Sequence, residues 1–189
     1  SDRESGMPLR HAGSTTPSTW VTRFAPLIAA GGEVLDLACG SGRHARWLVS
    51  RGFRVEAADR DAVALELLAG VPHLKVREVD LENGPWPYAR QHFDGIVVTN
   101  YLFRPRLPLL LTALNPGGVL IYETFMVGNE RFGKPSNPDF LLRSHELLET
   151  VADACTVLAY EQGEVAEPKP AVVQRICAVK GHNPGLRLP

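Results

Sequence analysis

Two acids and one glycine turn are the residues whose types and spacing could do chemistry. Asp36 lies within an apolar run, four residues before Gly40. Gly40-Ser41-Gly42 follows, a turn in which the backbone can bend sharply and approach a ligand where a Cβ would intrude. Asp59 ends the next apolar run, 17 residues after Gly42. An acid at that point can accept hydrogen bonds from both hydroxyls of a ribose seated at the glycine turn. The stretch from Glu33 to Asp61 therefore reads as a binding site for an adenosine-containing cofactor.

Periodicity supplies the elements that must position these groups. Val34 to Ala38 reads as a buried strand, and His44 to Ser50 as a helix with Ala45, Leu48 and Val49 at helical spacing. Arg54 to Ala58 returns as a strand, and Asp61 can cap a helix that runs through Ala69 to Gly70. Leu74 to Val79 is a third strand, ending at Asp80-Leu81-Glu82, and Phe93 to Thr99 is a fourth, apolar enough to be buried on both faces. A leucine-rich segment follows, helical after Pro108, then the turn Asn115-Pro116-Gly117-Gly118 and a fifth strand from Val119 to Glu123. Ser144 caps a helix from His145 to Ala152, and Cys155 to Tyr160 pairs with Ala171 to Val179 as an antiparallel hairpin at the sheet edge. Before all of these, Ser18 or Thr19 can cap a short helix whose Trp20, Phe24 and Leu27 or Ile28 share one face. That face packs onto the sheet, or the helix covers the cofactor with Arg23 toward an anionic group.

Composition narrows the partners. The chain has 189 residues, 44% hydrophobic and 22% charged, with a formal net charge of −1. That length suits a single core, and that charge gives no global field toward nucleic acid or an anionic membrane. We expect a flexible arm over 1–17, one domain over 18–181 and a loose tail over 182–189. The three cysteines, an odd and sparse count, argue for reduced thiols and a cytoplasmic setting. No apolar run approaches a membrane span. The six histidines show no metal-ligand spacing, so no metal is expected; His44 alone lies near the glycine turn, where it can contact the cofactor, cap or pack.

With Asp36 before the turn and Asp59 after it, the segment Asp36-Leu37-Ala38-Cys39-Gly40-Ser41-Gly42 resembles the first motif of the class I S-adenosylmethionine-dependent methyltransferases. Asp36 favours that family over dinucleotide binders, because a nearby carboxylate would repel a pyrophosphate but not an ammonium or a sulfonium. The resemblance implies a Rossmann-like α/β fold, a seven-stranded mostly parallel sheet in the order 3-2-1-4-5-7-6 with strand 7 reversed and helices on both faces. It implies S-adenosylmethionine as cofactor and S-adenosylhomocysteine as product. Carried over by position, cofactor contacts fall to Arg23, Asp36, Ala38, Gly40, Ser41, Gly42, His44, Asp59, Arg60, Asp80, Leu81 and Asn100. Asp80 would meet the adenine amino group, with an ordinary turn acid as the alternative. Compactness and the loop after the fifth strand are similar to the tellurite-resistance and thiol-methyltransferase-like branch, which acts on small molecules.

The acceptor side is less legible. Tyr101 and Glu123, at the ends of the fourth and fifth strands, are the candidate catalytic residues. Glu123 could serve as a base, bind a cationic group, or accept hydrogen bonds from loop amides. Arg104 and Arg106 could attract an anionic acceptor or lie solvated on the surface. The loop from Phe125 to Phe140 is long, rich in aromatics and placed at a strand's carboxyl end, and reads as a substrate-side lid. A small-molecule acceptor is expected, with no nucleic acid or membrane partner, and a monomer or homodimer. Alternatives are a protein or RNA methyltransferase working with a partner, and, from Gly40-x-Gly42-x-x-Ala45 with Asp59, a nicotinamide-dependent oxidoreductase.

Overall fold

The computed structural model describes residues 15–90, 92–182 and 185–189. The expected arm over 1–17 therefore lies almost wholly outside the described residues, as does part of the tail. Seven strands form one sheet in the order β3-β2-β1-β4-β5-β7-β6. They are β1 (Glu33–Leu37), β2 (Arg54–Asp59), β3 (Leu74–Glu78), β4 (Phe93–Thr99), β5 (Leu114–Phe125), β6 (Cys155–Val165) and β7 (Ala171–Lys180). All neighbours are parallel except at β7, which runs antiparallel to both β5 and β6. This is the expected order, with the expected reversal. Because β1 is flanked by β2 on one side and β4 on the other, the chain leaves in opposite directions from neighbouring strands, opening a crevice at their carboxyl ends.

Two layers sandwich the sheet. On one face α1 (Thr19–Phe24), α2 (Arg43–Ser50) and α3 (Ala62–Glu66) bring Trp20, Val21, Phe24, Ala45, Leu48 and Leu65 against Val34, Val55, Val97, Ile121 and Cys177. On the other, a 3-10 stretch over Arg104–Ala113 and α4 (Glu146–Val151) bring Leu107, Leu110, Leu147 and Val151 against Leu35, Ile96, Leu120, Tyr122 and Ile176. Alternate residues of each strand serve opposite cores, as the pleat requires.

Several boundaries differ from the sequence reading for local reasons. The leucine-rich segment winds as a 3-10 helix rather than an α-helix; Pro105 sits at its start and Pro108 within it, and Pro108 supplies no N–H for an α-helical bond. β5 begins at Leu114, which pairs with Phe93, so the Asn115–Gly118 turn is a bulge inside the strand rather than a boundary before it. The helix after Asp61 is shorter than expected, although Asp61 caps it by accepting from the Val63 and Ala64 amides, both at 3.1 Å. At α4 the cap position is occupied by His145, at φ 66°, and not by Ser144. Arg104 and Arg106 are not simply solvated: Arg104 donates to Glu146 at 2.7 and 3.0 Å and to the Leu141 carbonyl, and Arg106 donates to the Leu81 and Gly84 carbonyls. Burial alone would raise the Glu146 carboxyl, but the Arg104 bond, the Arg143 amide and both guanidinium charges outweigh it and hold it low.

Gly95 of β4 shows how closely the first layer packs. A Cβ there would lie 2.5 Å from Ile28 Cδ1, just beyond α1. Gly95→Ala should therefore destabilise the protein by about 1–3 kcal/mol in chemical denaturation. Ile28→Val, which removes the clashing Cδ1, should recover part of that loss in the double variant; a purely additive double variant would contradict the packing.

Candidate active site

The crevice at the carboxyl ends of β1 and β4 is where the chemistry-bearing residues meet. Both strands end on a non-glycine residue in the left-handed region, Ala38 at φ 56° and Asn100 at φ 54°. Asparagine tolerates that conformation better than alanine does. At both sites the chain is turned off the sheet, and the Asn100 amide still donates to the Glu123 carbonyl at 3.0 Å. Gly40 and Gly42 continue the turn at φ 56° and 85°. At Gly42 a Cβ would meet Leu68 side-chain carbons at 2.5 Å, so packing beneath α2 and the left-handed backbone both favour glycine there.

Asp59 is buried at the end of β2 and holds the turn. Its Oδ2 accepts from the Gly40 amide at 2.8 Å and its Oδ1 from the Asp61 amide at 3.0 Å. Asp36, 1% exposed, lies in β1 beside Ala57 of β2 and Val97 of β4. Asp80, one strand further out, is exposed and folded onto its own turn: Oδ1 accepts from the Glu82 and Asn83 amides at 2.8 and 3.1 Å, and Oδ2 from Asn83 Nδ2. Those amides, the Asn83 side chain and the nearby Arg60 charge hold its carboxyl below the usual range. Leu81 and Tyr101 are buried walls of a small apolar crevice shared with Leu37, Trp86 and Tyr122. Ser41 is half-buried at the tip of the glycine turn.

His44, expected near the glycine turn as a contact, cap or packing residue, is drawn into the protein's own contacts. It is 2% exposed, and both ring nitrogens are engaged within the protein. Nε2 accepts the Ser18 amide at 3.0 Å, and Nδ1 lies 3.4 Å from Thr99 Oγ1 at the end of β4. Accepting at Nε2 places the proton on Nδ1, which can donate to the hydroxyl. Burial, with a smaller contribution from the Arg43 charge, pushes the His44 pKa down to about 3. Arg43 donates to the Thr16 carbonyl at 2.8 Å. The sequence offered no signal for Ser18 or Thr99 as partners of His44, because 26 and 55 residues separate them from it.

The remaining candidates are drawn into other contacts. Arg23 is exposed on α1, over the Phe24 ring, with Nε donating to the Pro189 carbonyl at 3.5 Å; none of these contacts brings it to the glycine turn. Glu123 accepts from Arg175 Nε at 2.9 Å, and Arg175 Nη1 donates to Glu161 at 2.9 Å, a charge ladder across adjacent positions of β5, β7 and β6. Glu123 thus takes its bond from Arg175. The Tyr101 hydroxyl donates to Glu82 at 3.1 Å. The loop at 125–140 stands at the carboxyl end of β5 and is fastened to β7. Asn129 is buried, its Oδ1 accepting the Val172 amide and its Nδ2 donating to the Pro135 carbonyl, both at 3.0 Å. Val127 and Phe132 of this loop are exposed.

Comparison with known proteins assigns the class. A family described as a methyltransferase domain matches residues 9–135, and the chain belongs to it. The sheet order is that of Rossmann-like methyltransferases, and S-adenosylmethionine is the cofactor this class uses. Among solved structures, TehB from Haemophilus influenzae superposes with a TM-score of 0.71 at 22% identity, covering 90% of this chain and 64% of that one. This chain therefore spans less than two thirds of that protein's length. A TehB-like S-adenosylmethionine-dependent methyltransferase from Corynebacterium glutamicum gives 0.62 at 19% identity, covering 86% and 87%. The 1,6-didemethyltoxoflavin-N1-methyltransferase of Burkholderia thailandensis, solved with 1,6-didemethyltoxoflavin and S-adenosylhomocysteine, gives 0.62 at 20%, covering 86% and 76%. At such identities the likeness is one of fold. No curated protein matches the chain in sequence. Among the described residues, no helix is long and apolar enough to cross a membrane.

The depressed His44 pKa carries a consequence for stability. Between its unfolded value of 6.5 and about 3 the unfolded chain binds the proton and the native state does not, so stability falls as pH is lowered through that window. The slope from this group is at most about 1.4 kcal/mol per pH unit. Urea denaturation between about pH 7 and pH 5 should show a loss that is largely absent in His44→Gln. An equal pH dependence in both proteins would contradict a neutral, buried His44.

Proposed function

We propose that this chain transfers a methyl group from S-adenosylmethionine to a small-molecule acceptor that is already nucleophilic near neutral pH. The observation that carries the cofactor assignment is the row of carboxylates on consecutive strands around the glycine turn: Asp36 on β1, Asp59 on β2 and Asp80 just after β3. This set of acceptors suits ribose hydroxyls, an ammonium and an exocyclic amine, and it would repel a pyrophosphate. In this reading Asp59 receives the ribose. Asp80, Leu81 and Arg60 border the adenine, and Ala38, Gly40, Ser41, Asp36 and Asn100 border the methionine portion. The cofactor supplies a sulfonium methyl with a good leaving group. The chain's contribution is alignment and exclusion of water, and alignment alone can lower such a barrier by roughly 7–11 kcal/mol.

The acceptor reading rests on how the would-be bases are committed. Glu123 is held by Arg175, the Tyr101 hydroxyl donates to Glu82, and both nitrogens of His44 are bound. None is disposed to remove a proton from an acceptor. A thiolate, another soft anion or a neutral amine needs no such help, which accords with a small-molecule acceptor and with the 1,6-didemethyltoxoflavin bound to the N1-methyltransferase neighbour.

Calorimetry with S-adenosylhomocysteine tests the cofactor. Binding should be measurable and weakened about tenfold or more in Asp59→Asn, which loses a charged acceptor. No heat at millimolar ligand, or binding of NADH instead, would overturn the reading. Once an acceptor is found, Glu123→Gln should change kcat by less than about tenfold and leave the pH profile in place. A general base would contribute about 100- to 10,000-fold, so a loss of that size would restore Glu123 to that role.

A further inference from the structure

The contacts of His44 describe more than packing. Residues 16–18 run along the first turn of α2, directly after the glycine turn, and are tied there at two points. The Arg43 guanidinium donates to the Thr16 carbonyl at 2.8 Å, and the Ser18 amide donates to His44 Nε2 at 3.0 Å. From Ser18 the chain enters α1, whose anchors lie on the other side of the crevice: Trp20 Nε1 donates to the Ile176 carbonyl of β7 at 3.1 Å, and Val21 and Phe24 are fully buried. The segment therefore passes from the end of β1, beside the end of β4, toward β7. That path runs past the carboxyl end of β4, at the rim of the switch point.

The two ends of this path are unequal. α1 is fixed by buried aromatic and aliphatic side chains. Thr15 and Thr16 are exposed and Pro17 and Ser18 half-buried, so the segment has little apolar contact of its own. Segments with few buried contacts open locally while the domain stays folded. The boundary between the two falls at Ser18, where its own Oγ caps α1 by accepting from the Trp20 amide at 3.1 Å. His44 is the fixed point on the opposite bank. Its Nδ1 faces Thr99, the residue before Asn100, so one imidazole joins residues 16–18, the first turn of α2 and the end of β4.

We propose that Thr16 to Ser18 form a strap which His44 latches across the cofactor crevice, and that release of this latch governs how fast the cofactor enters and leaves. The inference rests on the cofactor site proposed above. His44 is here a positioning residue: its ring nitrogens are spent on the strap and on β4, so it acts on the cofactor through the chain it holds and not by touching it. The backbone N–H of Ser18 is the group that makes the latch.

Because that N–H is a backbone group, it can be removed without touching His44. Ser18 has φ −59°, close to the angle proline imposes, so Ser18→Pro deletes the N–H with little conformational cost. Ser18→Ala is the matched reference, since it loses the same hydroxyl cap and keeps the N–H. We expect S18P to release S-adenosylhomocysteine about three- to tenfold faster than S18A in stopped-flow measurements, the loss of one net hydrogen bond. KM for S-adenosylmethionine should rise while kcat at saturating cofactor stays the same between the two. Amide exchange provides a readout independent of any ligand: in His44→Phe the Ser18 and Thr19 amides should exchange at least about tenfold faster than in the wild type, with the protection of β1 and β4 retained. If the wild type binds the cofactor but S18P and S18A release it equally fast, the latch is refuted and the cofactor site stands. If the wild type binds no cofactor, the site reading fails, and unchanged exchange at Ser18 in His44→Phe would refute the latch as well.

Discussion

A buried hydrogen bond from the Gly40 amide to Asp59 Oδ2, 2.8 Å long, is the interaction on which the rest of the site depends. It ties the glycine turn to the end of the neighbouring strand, and with Asp59 also accepting from the Asp61 amide it fixes the start of the β2–α3 connection. The turn it holds determines where α2 begins, and hence where His44 stands. A charged acceptor for backbone amides in a buried place is among the stronger hydrogen bonds a protein makes, and leaving either partner unmet would be costly. The same carboxylate is the group best suited to a ribose, so the site's architecture and its proposed recognition share one side chain.

From that bond outward, the structure forms a pocket with unequal walls. The floor is rigid: four of the five β1 positions and six of the seven β4 positions are buried, and the chain turns off the sheet through Ala38 and Asn100. The β5 side is stiffened by the Glu123–Arg175–Glu161 ladder and by Asn129, which pins the 125–140 loop to β7. The strap is the weakly held wall. Such a distribution lets cofactor and acceptor exchange without disturbing the residues that align them, which suits a reaction in which alignment supplies most of what the protein contributes.

Much of this was legible in the sequence because it is local. The fourth strand, FDGIVVT, carries an apolar run at Ile96, Val97 and Val98, and its boundaries agree with the structure. Asp36 and Asp59 stand out because an acid is conspicuous in a buried run. The order of the strands came from the family resemblance, and the structure has it. What could not be read depends on long-range register or on competing local effects. Glu123 faces Arg175 only because β5 and β7 pair antiparallel, 52 residues apart. His44 meets Ser18 only because α1 crosses the sheet before the chain enters β1. Pro108 diverts the leucine-rich segment from an α-helix to 3-10 geometry, where apolar spacing alone suggests the commoner helix. Asn129 appears in the sequence as one polar residue among many, and its burial follows from the loop's return to Pro135 and its docking on Val172 of β7.

The central claim is that the β1–β4 crevice is an S-adenosylmethionine site with Asp59 as its ribose acceptor. A crystal structure of the chain soaked or grown with S-adenosylhomocysteine tests it directly. The account predicts the nucleoside at the carboxyl ends of β1 and β2, with both ribose hydroxyls within hydrogen-bond distance of the Asp59 carboxylate and the amino acid portion beneath residues 16–18. A ligand bound elsewhere on the sheet, or a ribose in this crevice whose hydroxyls turn away from Asp59, would contradict it.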